Sequence, residues 1–155
     1  MKRNWKQLLL FLAIPLAVGG FGALAGGNMM AYRDLVQPPL SPPGWLFPIV
    51  WTVLYLLMGY SSYRVYNAPA EDKEKRNALI LYGAQLLLNF LWPLVFFRLE
   101  WRLTAFFLLI ALWLLIALTI RAFNAIDERA SDALLPYLIW VTFAGYLNLG
   151  VYLLN

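Results

Sequence analysis

Residues 103–120 read LTAFFLLIALWLLIALTI and contain no Asp, Glu, Lys or Arg. At about 1.5 Å per residue, a helix of this length reaches across a hydrocarbon core about 30 Å thick. A core helix of a soluble protein would carry charges on its outer face, and this stretch has none. Residues 103–120 therefore predict a membrane-spanning helix.

Four further stretches share this length and this lack of charge, in a chain that is 63% hydrophobic and 13% charged. We therefore predict an all-α fold, an integral membrane bundle of five transmembrane helices that forms one domain over residues 1–155. The connections are mostly short, so consecutive helices are expected to pack as antiparallel neighbours. The predicted spans are 7–27, 45–63, 78–97, 103–120 and 133–154.

The first span also has features of a cleavable signal peptide. Lys2, Arg3 and Lys6 precede it, and residues 23–25 (Ala-Leu-Ala) resemble a cleavage site. Because four more apolar spans follow, we interpret it as a retained transmembrane helix.

Lys and Arg are unevenly distributed between the two ends of the predicted bundle. Nine lie in the N-terminal tail and in the second and fourth connections, whereas the opposite end has three, Arg33, Arg98 and Arg102. By the positive-inside rule the N terminus is cytoplasmic, and the proline-rich connection 28–44 and the C terminus face outward.

Composition argues against several functions. The net charge of +4 comes from scattered residues, so nucleic-acid binding is not expected. The chain has no Cys and no His, the usual thiolate and imidazole ligands, and no metal site is predicted. The spans lack Asp, Glu, Lys and Arg, which disfavours pumps and ion-coupled carriers. Asp127, Glu128 and Asp132 lie near a predicted helix start, where we expect them to stabilise the helix dipole.

Three spans carry a polar and aromatic face at helical spacing. The residues of these faces are Trp51, Tyr55, Met58 and Ser62; Gln85, Asn89, Trp92 and Phe96; and Tyr137, Trp140, Ala144 and Asn148. An amide that faced lipid would leave hydrogen-bonding groups unsatisfied, so we expect these faces to point into the bundle. There they either bond helices together while the rings fill space, or line a pocket for a flat apolar ligand. The spacing leaves both interpretations open.

Two further features each allow two interpretations. The small residues of the first span allow either close helix packing or room for a ligand, and Gly22 and Gly26 have the spacing of a small-xxx-small contact. Prolines stiffen the first connection and the start of the second span, which makes this segment either a lid or a spacer. These prolines are Pro38, Pro39, Pro42, Pro43 and Pro48.

Three motifs occur in a fixed order along the chain. Residues 41–55 read SPPGWLFPIVWTVLY, and residues 84–92 read AQLLLNFLW, with two Phe at 96–97. Residues 136–140 read PYLIW, with Ala at 144 and Leu-Asn at 147–148. Together they resemble the TspO/translocator-protein family, also called tryptophan-rich sensory proteins or peripheral-type benzodiazepine receptors. The resemblance covers nearly the whole chain.

The resemblance implies a receptor or sensor in a bacterial plasma membrane, embedded in the lipid bilayer and forming a homodimer. Its pocket beneath the first loop would bind apolar small molecules: porphyrins such as protoporphyrin IX, haem, sterols and benzodiazepine-like drugs. No cofactor is required. Since the chain lacks His and Cys, haem would be held by shape or by a Tyr or Met ligand.

The resemblance also assigns roles to residues. Trp51 and Asn89 are similar to the family's polar ligand contacts, Trp140 to the facing indole, and Ala144 to a small wall residue. The remaining ligand-binding residues expected from the motifs are Tyr55, Trp92, Asn148, Pro42, Pro43 and Phe47.

Two alternatives to a receptor follow. Trp51 and Trp140 resemble the pair linked to light-dependent porphyrin breakdown, so they would be the catalytic residues if the chain is a porphyrin-degrading enzyme. A transporter of porphyrin or lipid-like cargo is the other alternative, because the absence of charges and repeats disfavours coupled transport but not passive passage.

The chain departs from the family pattern at three positions. Ala31 and Leu40 stand where many relatives have Trp, so the lid is less aromatic. Leu149 stands where the sterol-recognition stretch of animal relatives has Tyr. Of the family's properties, sterol binding is therefore the one that we expect least of this chain.

Overall fold

The computed structural model describes residues 4–27 and 29–155, and these residues form helices and connections without a strand. The α-helices are α1 Trp5–Gly26, α2 Leu46–Asn67, α3 Asp72–Pro93, α4 Arg102–Asn124, α5 Glu128–Asp132 and α6 Leu135–Leu154. A 3₁₀ helix covers Met29–Asp34, and a π-helical turn covers Leu94–Arg98. Lys2 and Arg3, which contribute to the predicted orientation, and Asn28, the first residue of the predicted loop, lie outside the described residues.

Five helical segments are long and apolar enough to cross a membrane, which confirms the predicted all-α transmembrane bundle. Their ends extend beyond the charge-free stretches at several points. For example, α3 begins at Asp72 instead of 78, because its charged first turns can be solvated and its acidic residues complement the helix dipole. The last span starts at Leu135 with Pro136 in its first turn, and the short α5 precedes it.

The order of packing differs in part from the order along the chain. α1 packs against both α2 and α3, while α4 packs against both α3 and α6. α2 and α3 are joined by the short segment 68–71, yet they contact each other far less than α2 contacts α1 and α3 contacts α4. The expectation that consecutive spanning helices pack together is therefore confirmed for α1 with α2, for α3 with α4 and for α4 with α6, whereas α2 and α3 make limited contact.

Glycines allow α1 to lie between its two neighbours. A Cβ added at Gly59 of α2 would stand 2.6 Å from the backbone of Leu12, so the two helix backbones touch there. On the α3 side, Gly22 and Gly26 leave added Cβ atoms 3.4 Å and 3.1 Å from backbone oxygens of Phe90 and Pro93. The small-xxx-small pair thus serves close packing between α1 and α3 inside one chain.

The end of the bundle opposite the proline-rich loop is held by Asp127. Its carboxylate caps α5 by accepting hydrogen bonds from the backbone N–H groups of Arg129 and Ala130. It also accepts from Arg64 Nε of α2 at 2.9 Å, and Ser61 Oγ donates to the Ala130 carbonyl at 2.6 Å. The sequence predicts that Asp127 stabilises a helix start, and the structure shows that it does so as the N-cap of α5.

Candidate ligand-binding site

The bundle encloses a cavity of about 400 Å³ beneath the proline-rich loop. Residues of α1, α2, α3, α4 and α6 contribute to its wall, together with loop residues. The lining residues are Gly19, Ala23, Tyr32, Arg33, Gly44, Phe47, Pro48, Trp51, Tyr55, Asn89, Trp92, Pro93, Phe96, Phe97, Leu109, Leu112, Trp140, Ala144, Leu147 and Asn148. Its size falls within the range of small-molecule sites, about 300 to 1,000 Å³.

Eight of the twenty lining residues are aromatic, and several of their rings hold one another in place. Trp51 stacks on Tyr55, with ring centroids 5.6 Å apart and planes inclined by 28°. Trp92 stacks on Phe96 at 4.8 Å and 21°. Each side chain also buries a large apolar area, so these surfaces are rigid and suited to a flat apolar ligand.

The π-helical turn after α3 positions part of this wall. Pro93 has no N–H to donate to the carbonyl of Asn89, and the wider turn begins directly after it. Leu99 N donates to the Leu94 carbonyl at 3.0 Å, the spacing of a π helix. This turn carries Phe96 and Phe97, both of which line the cavity. Such turns often occur at functional sites.

A hydrogen-bonded chain of side chains ties α2, α3 and α6 together at the cavity. Tyr55 Oη donates to Asn89 Oδ1 at 2.8 Å, and Asn89 Nδ2 donates to Tyr137 Oη at 2.8 Å. Tyr137 Oη in turn donates to Gln85 Oε1 at 2.7 Å. These bonds are the interhelical glue considered from the sequence, yet Tyr55 and Asn89 also line the cavity. The two interpretations of the polar faces are thus compatible.

A second polar connection joins α3, α6 and the start of α4. Trp92 Nε1 donates to Asn148 Oδ1 at 3.0 Å, and Asn148 Nδ2 donates to the backbone carbonyl of Arg102 at 2.9 Å. The indole N–H of Trp92 is therefore satisfied within the protein. Trp92 and Asn148 both line the cavity while these polar groups bond within the protein.

The indole of Trp140 differs from that of Trp92. Its Nε1 is buried and has no hydrogen-bond partner among the described residues. Leaving a buried N–H unpaired costs about 1 to 3 kcal/mol, which a ligand acceptor would recover. Trp51, on the facing helix, has ring contacts but its indole N–H makes no hydrogen bond within the described part of the chain either. Trp51 and Trp140 both line the cavity, and neither indole N–H is paired within the described part of the chain.

The proline-rich loop is anchored to the far end of α6. Tyr146 Oη donates to the Pro39 carbonyl at 2.7 Å, and the backbone N–H of Val36 donates to Asn155 Oδ1 at 3.1 Å. A Cβ added at Gly150 would lie 2.5 Å from Pro38, so the loop rests directly on the helix. Because this anchored loop supplies part of the cavity wall, it covers the site and does more than connect two helices.

Most predicted site residues lie together around this cavity. Those on its wall are Phe47, Trp51, Tyr55, Asn89, Trp92, Trp140, Ala144 and Asn148. Pro42 and Pro43 are not on the wall. The loop instead contributes Tyr32 and Arg33 of the 3₁₀ helix, together with Gly44. Leu40 is 84% exposed and is not among the lining residues. Contact of any of these residues with a ligand stays a prediction.

Several lining residues were not expected from the sequence. Leu109 and Leu112 of α4 belong to a uniformly apolar helix that gives no pattern to distinguish one face from another. Tyr32 and Arg33 lie in a loop, where helical spacing does not apply. The small residues of α1 were considered both for packing and for ligand space, and Gly19 and Ala23 are the ones on the cavity wall.

Fold and site together define a class, the five-helix integral membrane proteins with an aromatic cavity under a proline-rich loop. A model of the TspO/MBR family matches residues 11–154, and the chain belongs to that family. It is 36% identical to the tryptophan-rich protein TspO of Chlorobaculum tepidum, covering 100% of this chain and 99% of the relative. It is 39% identical to the tryptophan-rich sensory protein of Cereibacter sphaeroides (100% and 95%) and 35% identical to the translocator protein of Bos taurus (96% and 89%).

Proposed function

We propose that the chain is a membrane receptor or sensor that binds tetrapyrroles, such as protoporphyrin IX or haem, and benzodiazepine-like apolar ligands in this cavity. The observation that carries the proposal is that Trp140, whose buried indole N–H has no partner among the described residues, lines an aromatic cavity. A flat ligand with acceptor atoms would stack on the rings and satisfy this donor. The names of the relatives, a sensory protein and a translocator protein, agree with such a role.

Asn89 contributes the second polar contact in this proposal. Its amide has two N–H bonds, and Tyr137 takes one of them at 2.8 Å. The other remains for a ligand, and the fixed hydrogen bonds to Tyr55 and Tyr137 hold the amide in one orientation. Asn89 is therefore a preorganised donor, which lowers the entropy cost of binding.

The test is quenching of tryptophan fluorescence by protoporphyrin IX in the dark, with purified protein and the variants Trp51→Phe, Asn89→Ala and Trp140→Phe. Trp140→Phe keeps a ring but removes the donor, so the dissociation constant should rise about five- to tenfold. Trp113→Phe is the matched control, because Trp113 lies outside the cavity and donates to Thr142 at 2.8 Å. Quenching that does not saturate, or that all three cavity variants leave unchanged, would refute the proposal.

The enzyme alternative is favoured by one observation, the presence of two oxidisable indoles, Trp51 and Trp140, on the same cavity wall. Illumination of the same samples separates the two functions. A receptor returns the porphyrin unchanged, whereas an enzyme converts it into a product with a new absorption spectrum. Loss of that product in either Trp variant would favour the enzyme.

We also propose a location and orientation. The protein is integral to a membrane, which we take to be a bacterial plasma membrane as the resemblance implies. The distribution of basic residues supports a cytoplasmic N terminus. The proline-rich loop and the C terminus would then face outward. The homodimer implied by the resemblance stays a prediction.

A further inference from the structure

The cavity wall contains a single charged residue among the described positions, Arg33 of the loop. Its neighbours on the wall are aromatic and aliphatic side chains with two amides, Asn89 and Asn148. The guanidinium is exposed, so it stays hydrated at the loop end of the site while the rest of the cavity is apolar. The site is therefore amphipathic, with its positive charge at the loop end.

Arg33 also lacks a protein partner, in contrast to the other basic residues near it. Within the described part of the chain its side chain makes no hydrogen bond and no ion pair. Arg98 Nε donates to the Ala25 carbonyl at the end of α1 at 2.5 Å, and the Arg102 guanidinium lies 5.4 Å from the Phe96 ring centroid. The protein thus uses two of these arginines for its own packing and leaves Arg33 available.

The polar groups near Arg33 are donors as well. Tyr32 Oη is buried and makes no hydrogen bond of standard geometry with the described residues. Burial raises the pKa of the Tyr32 hydroxyl above its usual 10, while the nearby Ser41 hydroxyl acts in the opposite direction, so the phenol stays protonated at neutral pH. Phe47 contacts both the Tyr32 ring at 5.7 Å and the Trp140 ring at 5.9 Å. Among the residues that the structure describes, the cavity lining contains no carboxylate.

We propose that Arg33 makes the site selective for a flat apolar ligand that carries a carboxylate at its edge, which the guanidinium pairs at the loop end. This inference rests on the proposed function and narrows it. Among the ligand classes considered, it favours carboxylated tetrapyrroles over neutral drug-like molecules. The apolar body of the ligand would lie on the aromatic wall, and Tyr32 would donate to the same carboxylate.

The experiment compares protoporphyrin IX, which has two carboxylates, with its neutral dimethyl ester in detergent micelles that contain no phosphate. Each ligand is titrated into the wild type, Arg33→Gln and Arg33→Lys, and variants are compared within one ligand so that its partition into the micelle cancels. Arg33→Gln should lower the affinity for the diacid about fivefold and leave the affinity for the diester unchanged. A fivefold change corresponds to the loss of a partly exposed ion pair of about 1 kcal/mol. Arg33→Lys should retain most of the diacid affinity, because the charge remains.

Arg76→Gln is the matched control, since Arg76 is exposed, lies outside the cavity and loses the same charge. Equal effects of Arg33→Gln on diacid and diester would overturn the inference while the proposed function stands. If neither porphyrin binds saturably to the wild type, the proposed function fails and the inference falls with it.

A lipid phosphate has the same attraction for a guanidinium as a carboxylate. The titrations are therefore repeated in phosphatidylcholine nanodiscs. Persistence of the fivefold diacid effect there supports the inference. If the effect is present in micelles but absent in nanodiscs, the Arg33 guanidinium pairs with lipid phosphate in a bilayer. That result would overturn the inference.

Discussion

Tyr137 shows how a single residue links stability to the site. It is among the largest fully buried side chains, and its hydroxyl both accepts from Asn89 and donates to Gln85. Without that hydroxyl, Asn89 would lose one of the two bonds that orient its amide toward the cavity. Interhelical hydrogen bonds in membrane proteins contribute about 0.6 to 2 kcal/mol each, so the loss is measurable.

Tyr137→Phe should therefore destabilise the bundle by about 1 to 2 kcal/mol, because it leaves two buried polar groups without a partner. The measurement is reversible unfolding of the micelle-embedded protein by an anionic detergent. Tyr152→Phe is the control, since Tyr152 is 41% exposed and its hydroxyl has no hydrogen bond within the described residues. Equal stability of the two variants would argue against a structural role for the Tyr137 hydroxyl.

At the scale of the elements, helix contacts depend on a few glycines that were not distinguishable by sequence alone. Gly59 lies at the crossing of α1 and α2, where an added Cβ would meet backbone atoms at 2.6 Å. Gly83 of α3 has nothing within 4 Å of an added Cβ. Both are interior helix glycines, and only the packing partner distinguishes them.

Gly59→Ala should lower the thermal unfolding temperature, because α1 and α2 must move apart to accommodate the methyl group. Gly83→Ala should leave it unchanged or raise it slightly, since Ala has a higher helix propensity by about 0.5 to 1 kcal/mol. Thermal unfolding in micelles, followed by circular dichroism, tests both. A Gly59→Ala protein as stable as Gly83→Ala would mean that this crossing tolerates separation.

The packing of the proline-rich loop against α6 is a second contact between elements. Gly150→Ala should push Pro38 away from α6, because the new methyl group would lie 2.5 Å from the proline ring. The amide of Val36, which donates to Asn155 in the docked loop, should then exchange faster with deuterium. Gly145→Ala on the same helix is the control, since its nearest contact is 4.0 Å away, and equal exchange in the two variants would contradict this account.

At the scale of the whole molecule, the distribution of charge predicts how the bundle lies in the membrane. The chain contains no Cys, so any introduced Cys is a unique reporter. Asp34 lies at the loop end and Glu74 near the start of α3, at the opposite end, and both are exposed. In intact bacterial cells, a membrane-impermeant maleimide should label the cysteine of the Asp34→Cys variant but not that of the Glu74→Cys variant. The reverse result would invert the proposed orientation.

Much of the fold and part of the site are predictable from the sequence. A bilayer selects each spanning helix by composition and length, and it requires amide-bearing faces to turn inward, so both appear in the residue pattern. The inward placement of Trp51, Asn89 and Trp140 follows from that pattern, whereas the cavity that they line does not, because helix packing and a pocket need the same spacing. The position of Asp127 at a helix start is predictable for a separate, local reason, because acids there stabilise the positive end of the helix dipole.

Other properties depend on tertiary structure. The insertion of α1 between α2 and α3 is decided by backbone contacts at glycines, which composition does not reveal. The sequence presents Trp92 and Trp140 as equivalent indoles, yet only the helix rotations pair one with Asn148 and leave the other unpaired at the cavity. The presence of Arg33 on an apolar wall likewise depends on how the loop docks on α6. Hydrophobic patterning is a property of each segment, whereas pairing and exposure of polar atoms are properties of the assembled bundle.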